Sequence, residues 1–315
     1  VDLCRTGPLT VARRPPADLV IDEPLVTTLL RRQQPALAAL PLHRASSGWD
    51  NEIFRLGDRL AVRLPRRRVA ARMIVHEQYW LPQLAPGLPL PIPAPVAVGR
   101  PEPGVFDRAW SVTPWFEGRL ASSLAQSPTE PRWGEIAGQL AAFVTALHRP
   151  APAQAPGNPF RGVPLSTRDR GVRERIAALK LGERVSTRWA QALAAPQWAG
   201  PPVWVHADLH PANLILAADG RLAAVIDFSD LTAGDPAVDL AAAWMLLPAE
   251  HRPAFFTGVG IGDRTPRAQA MRLRAAGNAL AHAVACLAHS DDDPVIGAIG
   301  ERTLTALLTD WPGQP

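Results

Sequence analysis

The chain has 315 residues, 47% of them hydrophobic and 20% charged, with a net charge of +4. That length buries a sizeable core, and that balance excludes wholesale disorder. No basic helix, zinc-ligand spacing or aromatic RNA-binding motif accompanies the arginines, which argues against a nucleic-acid partner. Lys180 is the only lysine, a bias that matches an Ala-, Arg- and Pro-rich composition of GC-rich coding sequence. Residues 1–112 carry a net charge of +5 and the remainder −1, a division that suits an anionic cofactor held mainly by the first part. Cys4 and Cys286 are far apart and form no CxxC pair, as expected in a reducing cytosol. No apolar run reaches membrane-spanning length and no signal pattern opens the chain, so a cytoplasmic protein without a membrane partner is expected.

Residues 1–17 read as a loose Pro/Arg-rich arm. Over 24–40, Leu25, Leu29, Leu30, Leu37 and Leu40 recur at helical spacing, with Pro35 as a breaker. A turn-rich stretch at 46–51 precedes two strands, 52–56 and 59–64, which Gly57-Asp58 joins as a hairpin. Residues 70–84 follow as a helix, and the proline-dense 86–103 as loop and edge strand. A short strand over 110–115 runs into Glu117-Gly118, a natural connector. Beyond it, helices are expected over 133–148, 173–195, 236–247 and 267–288, with a loop at 150–164. The outline is an α+β chain in two lobes: a strand-rich N-terminal lobe over 1–114 and a helix-rich C-terminal lobe over 115–315.

The densest information lies between Val203 and Phe228. Residues 203–206 make a short apolar strand, Asp208 falls where the chain must turn, and Asn213 follows in H-x-D-x-x-x-x-N spacing. An Asp after a strand is by itself usually a turn former or helix cap. Asn213 strengthens the other reading, because the spacing turns both side chains toward one site. A strand over 214–216, a tight turn at Asp219-Gly220 and a returning strand over 222–226 would bring Asp227 back beside Asn213. Phosphoryl transfer requires a carboxylate for the acceptor's proton and oxygen ligands for Mg²⁺. His206 and His210 could instead be metallohydrolase ligands, but no further histidine motif completes a ligand set, and Asn213 and Asp227 are then left idle. His206 is expected to be structural, bonding backbone or a buried carboxylate such as Asp239.

With these residues in this order, the chain resembles the aminoglycoside phosphotransferase family, small-molecule kinases with a protein-kinase-like fold. The resemblance is strongest over 203–240, visible over 47–84, and least specific in residues 1–20 and the C-terminal helices. It implies Asp208 as the catalytic residue and Asn213 and Asp227 as Mg²⁺ ligands. It also implies ATP or GTP as donor and, as acceptor, a small-molecule hydroxyl, in particular an antibiotic such as an aminoglycoside, macrolide or peptide antibiotic, handled by a monomer or homodimer. Ser47 and Gly48 would cover the phosphates, although one glycine stands where protein kinases have G-x-G-x-x-G. Arg63 occupies the third-strand position of the kinase lysine, with Glu77 fourteen residues on to pair it; the plainer alternative is a solvated ion pair. Thr113 and Trp115 would flank the nucleotide base at the connector.

Phe228-Ser229 replaces Phe-Gly, and no Ala-Pro-Glu segment follows, which argues against a protein substrate. A cationic acceptor calls for acidic groups, for which Asp230, Glu250, Asp291, Asp292 and Asp293 are candidate sources or simply solvated loop residues. Arg66, Arg67 and Arg68 are expected to form a solvated turn. A kinase of a sugar, an amino alcohol or homoserine would show the same core. The absent lysine and sparse glycines also leave room for a nucleotide-binding pseudokinase.

Overall fold

The computed structural model of the protein describes residues 16–126, 130–289 and 293–312. Cys4, Asp291 and Asp292 lie outside them.

The N-terminal part opens with α1 (Glu23–Gln33), whose N-cap Asp22 accepts from the Leu25 amide and whose end falls just before Pro35. Next come β1 (Leu42–Ser47), β2 (Asn51–Leu56), β3 (Leu60–Pro65), α2 (Ala71–Leu84), β4 (Ala97–Gly99) and β5 (Trp110–Pro114). The strands form one antiparallel sheet in the order β1-β2-β3-β5-β4. The hairpin turns at Gly57, whose φ of 58° is left-handed and costs glycine nothing. The proline-dense segment supplies the edge strand β4, where missing amides do least harm. β1 had no strand signature; four of its six residues are exposed, so it lacks the alternation that marks a half-buried strand. Phe54, Leu56, Val62, Leu64, Trp110 and Val112 pack beneath Leu29 and Leu30 of α1 to make a separate apolar core.

Beyond the connector come β6 (Arg119–Leu120), α3 (Trp133–Leu147), α4 (Asp169–Ala178), α5 (Glu183–Leu193), β7 (Val203–Val205), β8 (Leu214–Leu216), β9 (Leu222–Val225) and β10 (Thr232–Gly234). The short helices α6 (Ala237–Leu240), α7 (Ala242–Leu246) and α8 (Arg252–Gly258) lead to the long α9 (Pro266–Ala288) and α10 (Pro294–Thr309). β6, β8 and β9 form one small sheet and β7 and β10 another. The larger core gathers Leu140, Phe143 and Leu147 of α3 with Trp189, Leu214, Phe228, Phe255 and Leu280.

Two helical expectations change. The helix over 173–195 is two helices, because Lys180 (φ 53°) and Gly182 (φ 82°) take left-handed backbone between them. The helix over 236–247 is likewise divided, α6 ending and α7 beginning around Ala241. Among the described residues, no helix is long and apolar enough to cross a membrane.

Candidate active site

β7 delivers the chain to Asp208, and the buried Asp239 of α6 fixes its direction. The Asp239 carboxylate accepts from the amides of His206 (2.9 Å) and Ala207 (2.7 Å) and lies 3.0 Å from Nε2 of His148. The His206 ring bonds backbone, the first of the two alternatives expected, while Asp239 holds the His206 amide and not its ring. Its Nδ1 accepts from the Asp208 amide at 3.2 Å and its Nε2 meets the Ile226 carbonyl at 3.0 Å, so the ring ties the catalytic loop to the end of β9. Both ring nitrogens are thereby occupied, and His206 has none left for a metal. Ala207 sits at φ 70°, a conformation that costs an L-residue about 1–2 kcal/mol. Strain of this kind persists where surrounding bonds over-determine the backbone.

Asp208 has 21% of its side chain exposed, and both oxygens are engaged. Oδ1 accepts from Arg161 Nη2 at 2.9 Å, while Oδ2 lies 3.2 Å from both Asn213 Nδ2 and His210 Nε2. Burial alone would raise the Asp208 pKa, but His210 and Arg161 outweigh it and hold the carboxyl well below its ordinary value of 3.8. The group is therefore ionised throughout the neutral range.

Asn213 also donates to the Asp208 carbonyl at 2.8 Å, which turns its amide nitrogen inward. Its own carbonyl accepts from the Ile226 amide at 2.9 Å, and this bond sets Asp227 next to it, as the hairpin spacing required. Asp227 stands at φ 60° with 45% of its side chain exposed. Its Oδ1 accepts from Ser229 Oγ at 2.6 Å, so Ser229 props the carboxylate in place. Asn213 Oδ1 and Asp227 Oδ2 take no hydrogen bond within the described structure. Two uncommitted hard oxygens on adjoining backbone fit Mg²⁺, which takes few protein ligands and keeps water on its remaining positions.

Above them, Arg63 of β3 and Glu77 of α2 pair at 2.6 and 3.3 Å with side chains only 8% and 1% exposed. This is a buried bidentate pair, not a solvated one. Arg63 Nη2 also lies 3.9 Å from Asp227 Oδ1, linking the sheet to the catalytic end. Burial pushes the Glu77 carboxyl up against the pull of Arg63, so its ionisation depends on that arginine. Ser47 and Gly48 form the turn between β1 and β2. Ser47 Oγ donates to Glu52 at 2.7 Å, and the Gly48 carbonyl accepts from Arg66 at 3.0 Å.

Of the arginine run expected to form a solvated turn, only Arg68 is exposed; Arg66 and Arg67 are largely covered. Arg66 also reaches Glu52 at 3.0 Å, Arg67 pairs with Asp50, and Arg68 pairs with Asp107, so Arg66 and Arg67 clamp the turn between β1 and β2. Thr113 is buried in β5, and Trp115 stacks beneath the Arg55 guanidinium at 4.9 Å. Both lie at the connector; neither meets Asp208 or Asp227.

Sequence reasoning missed Arg161, Asn158, Arg168 and His282, and left Asp230 unassigned. The proline-rich 150–164 loop lies along β10: the amides of Ala233 in that strand and of Asp235 just beyond it donate to the carbonyls of Pro156 (3.2 Å) and Gly162 (2.8 Å). Asn158 shapes its tip: Oδ1 accepts from the Phe160 and Arg161 amides, and Nδ2 donates to Asp230 at 2.7 Å. Gly162 (φ 67°) and Gly234 then meet backbone to backbone, where a Cβ on Gly234 would fall 2.2 Å from the Gly162 oxygen. No spacing in the chain announces this. The one available signal was an Asx-turn pattern, Asn158 ahead of Phe160-Arg161.

His282 of α9 places Nδ1 3.4 Å from Arg161 Nη1 and 3.8 Å from Asp208 Oδ1. Among the described residues, Asp208, His210 and His282 are the one group of three close enough to suggest a metal. The Arg161 guanidinium bonds Asp208 and faces His282 at once, so a cation is already in that place.

A strand-rich part carrying a buried Arg–Glu pair, set over a helical part with Asp208, Asn213 and Asp227, defines a protein-kinase-like phosphotransferase. Residues 41–276 match the profile of the phosphotransferase enzyme family. The chain belongs to that family and is a small-molecule phosphotransferase. No curated protein matches it. Among solved structures, it is similar to the GDP complex of aminoglycoside 2'-phosphotransferase-IIIa, at 18% identity and a TM-score of 0.68 over 91% of this chain and 98% of that one. The macrolide 2'-phosphotransferase MphH from Brachybacterium faecium gives 20% identity and 0.58 over 92% and 99%. The streptomycin–ATP ternary complex of APH(2")-IIa gives 18% and 0.60 over 87% and 93%.

Proposed function

We propose that the protein transfers the γ-phosphoryl group of ATP or GTP, with Mg²⁺, to a hydroxyl of a small molecule. The reading is carried by the ionised Asp208, held by Asn213 on one side with Asp227 set beside that asparagine. The acceptor hydroxyl donates to the Asp208 carboxylate. Its oxygen forms the new bond to phosphorus as the β–γ bridge breaks, and its proton passes to Asp208. A carboxyl held below its ordinary range is a weak base, so orientation outweighs proton abstraction and the proton moves late. Asn213 and Asp227 would hold Mg²⁺, which neutralises charge on the phosphates. Arg63, oriented by Glu77, anchors those phosphates under the Ser47-Gly48 turn, and the connector at Thr113 and Trp115 seats the base. In this reading residues 1–114 hold the nucleotide and 115–315 the acceptor.

Kanamycin, gentamicin and streptomycin complexes among the structural neighbours support antibiotics as a class of acceptor, not these polycations in particular. The test is nucleoside diphosphate release with ATP and GTP over a panel of antibiotics and hydroxylated metabolites. Asp208→Ala is expected to lower turnover by about 10²–10⁴-fold while nucleotide affinity stays within about threefold. Undiminished turnover refutes the assignment. Nucleotide binding with no metal-dependent turnover on any acceptor would make the protein a pseudokinase.

A further inference from the structure

We infer that the acceptor carries a carboxylate, received by Arg168 and Arg161 with His282 as a further donor. This rests on the phosphotransferase reading of Asp208 and adds the charge class of the acceptor.

The acidic groups around Asp208 are already spent. Asp230 bonds Asn158 at 2.7 Å and faces Arg161 at 3.7 Å. Asp235 is paired to Arg274 at 2.7 Å and accepts from the Ala237 amide, and Asp239 holds the catalytic loop. A polycationic acceptor needs several carboxylates free to meet its ammonium groups; Asp235 and Asp239 are committed, and Asp230 faces Arg161 with its second oxygen. Asp293 caps α10 through the Val295 and Ile296 amides.

The positive groups are in the opposite condition. Among the described residues Arg168 has no carboxylate partner, and its one hydrogen bond there runs to Asn278 Oδ1 at 3.5 Å, the outer limit for such a contact. Burial, then the charges of Arg161 and Arg175, push its pKa down to about 9, so it remains charged at neutral pH at an electrostatic cost that an anion would offset. A guanidinium with most of its N–H groups unmet is a receptor for a planar, bidentate anion. His282 contributes a second unmet group. Because Nδ1 faces the Arg161 donor, the proton belongs on Nε2, which is buried and has no partner among the described residues. Burial, His210 and Arg161 keep this ring from charging, leaving a neutral N–H suited to a carboxylate or carbonyl oxygen.

These donors come from two elements, the segment from Arg161 to Arg168 that enters α4, and one face of α9 with Asn278 and His282 a turn apart. Arg161 bonds the reacting carboxylate itself, so an anion on this pair lies next to the catalytic centre.

The experiment compares hydroxy acids (L-serine, L-homoserine, D-gluconate and a hydroxylated peptide acid) with their methyl esters, and both with kanamycin, using nucleoside diphosphate release as readout. A charge-assisted hydrogen bond predicts that at least one acid is used with a KM about 10- to 100-fold below that of its ester. Arg168→Gln is expected to bring that acid-over-ester ratio to within about threefold, and Arg168→Lys to leave an intermediate ratio. Retention of the full ratio in Arg168→Gln, or acids used no better than esters or kanamycin, overturns the inference while leaving the phosphotransferase reading intact. Absence of turnover on acids, esters and kanamycin alike overturns the phosphotransferase reading as well.

Discussion

At the N-terminal sheet, Arg63 meets Glu77 and approaches Asp227, Arg66 meets Glu52, and Arg67 meets Asp50. Beside α9, Arg161 is shared by Asp208 and Asp230, and Arg168 has no acidic partner among the described residues. One end closes its charges within the protein, and the other leaves positive charge for something else to meet. A buried closed pair resists substitution of either member, whereas an open cation can change at little cost to the fold. The difference separates residues that build the machine from residues that choose what enters it.

The largest effect is expected from opening the closed end. Glu77→Ala strands the buried Arg63 charge and should destabilise the protein by about 3–5 kcal/mol in denaturant unfolding. Adding Arg63→Met should recover much of that loss. A Glu77→Ala protein as stable as the wild type would mean that the pair is not buried in solution. Asp227→Ala should lower metal-dependent turnover by about 10²–10³-fold, since it removes one of the two uncommitted oxygens. Titration of activity with Mg²⁺ checks this, and an unchanged Mg²⁺ dependence would place the metal elsewhere.

The open end predicts a pH effect. Asp208 is held below its ordinary pKa in the folded state, so its ionisation contributes stability above about pH 4 that is lost as pH falls through the folded value. The wild-type kcat/KM profile should accordingly show no Asp208 limb above about pH 4. Arg161→Gln leaves burial opposed by fewer charges, raises that pKa and moves the acid limb upward. Superimposable profiles would show that Arg161 does not set the charge state of Asp208. The smallest effect belongs to Ala207→Gly. It relieves a left-handed alanine but adds freedom to the unfolded chain, so the net change should stay within about 1 kcal/mol by thermal unfolding.

The same division decided what the sequence could reveal. Asp208, Asn213 and Asp227 were legible because a short hairpin fixes their separation, and the strand–turn–strand pattern is written locally. Arg63 and Glu77 were legible because a strand followed by a helix places a fixed number of residues between them. Arg161, Arg168 and His282 lie on a proline-rich loop, a helix entrance and a late helix, and only tertiary packing unites them. Arg66 and Arg67 misled for a related reason. A run of arginines looks solvated until the partners brought by β2, Glu52 and Asp50, are known. β1 was missed because its exposed residues show no period, and the helix breaks at Lys180 and Ala241 because a single left-handed or bent residue leaves the apolar pattern almost intact.

The contact between Gly162 and Gly234 bears on how such an enzyme can change its acceptor. Gly234 leaves no room for a Cβ against the Gly162 oxygen, and the Asp235 amide pins the Gly162 carbonyl at 2.8 Å, so the backbone next to Arg161 is held in place. A lineage that needs a new acceptor can therefore exchange the side chain at 161 without rebuilding the loop beneath it. The glycine pair acts as a socket into which different heads can be fitted, and selection for new chemistry would be expected to leave the socket untouched.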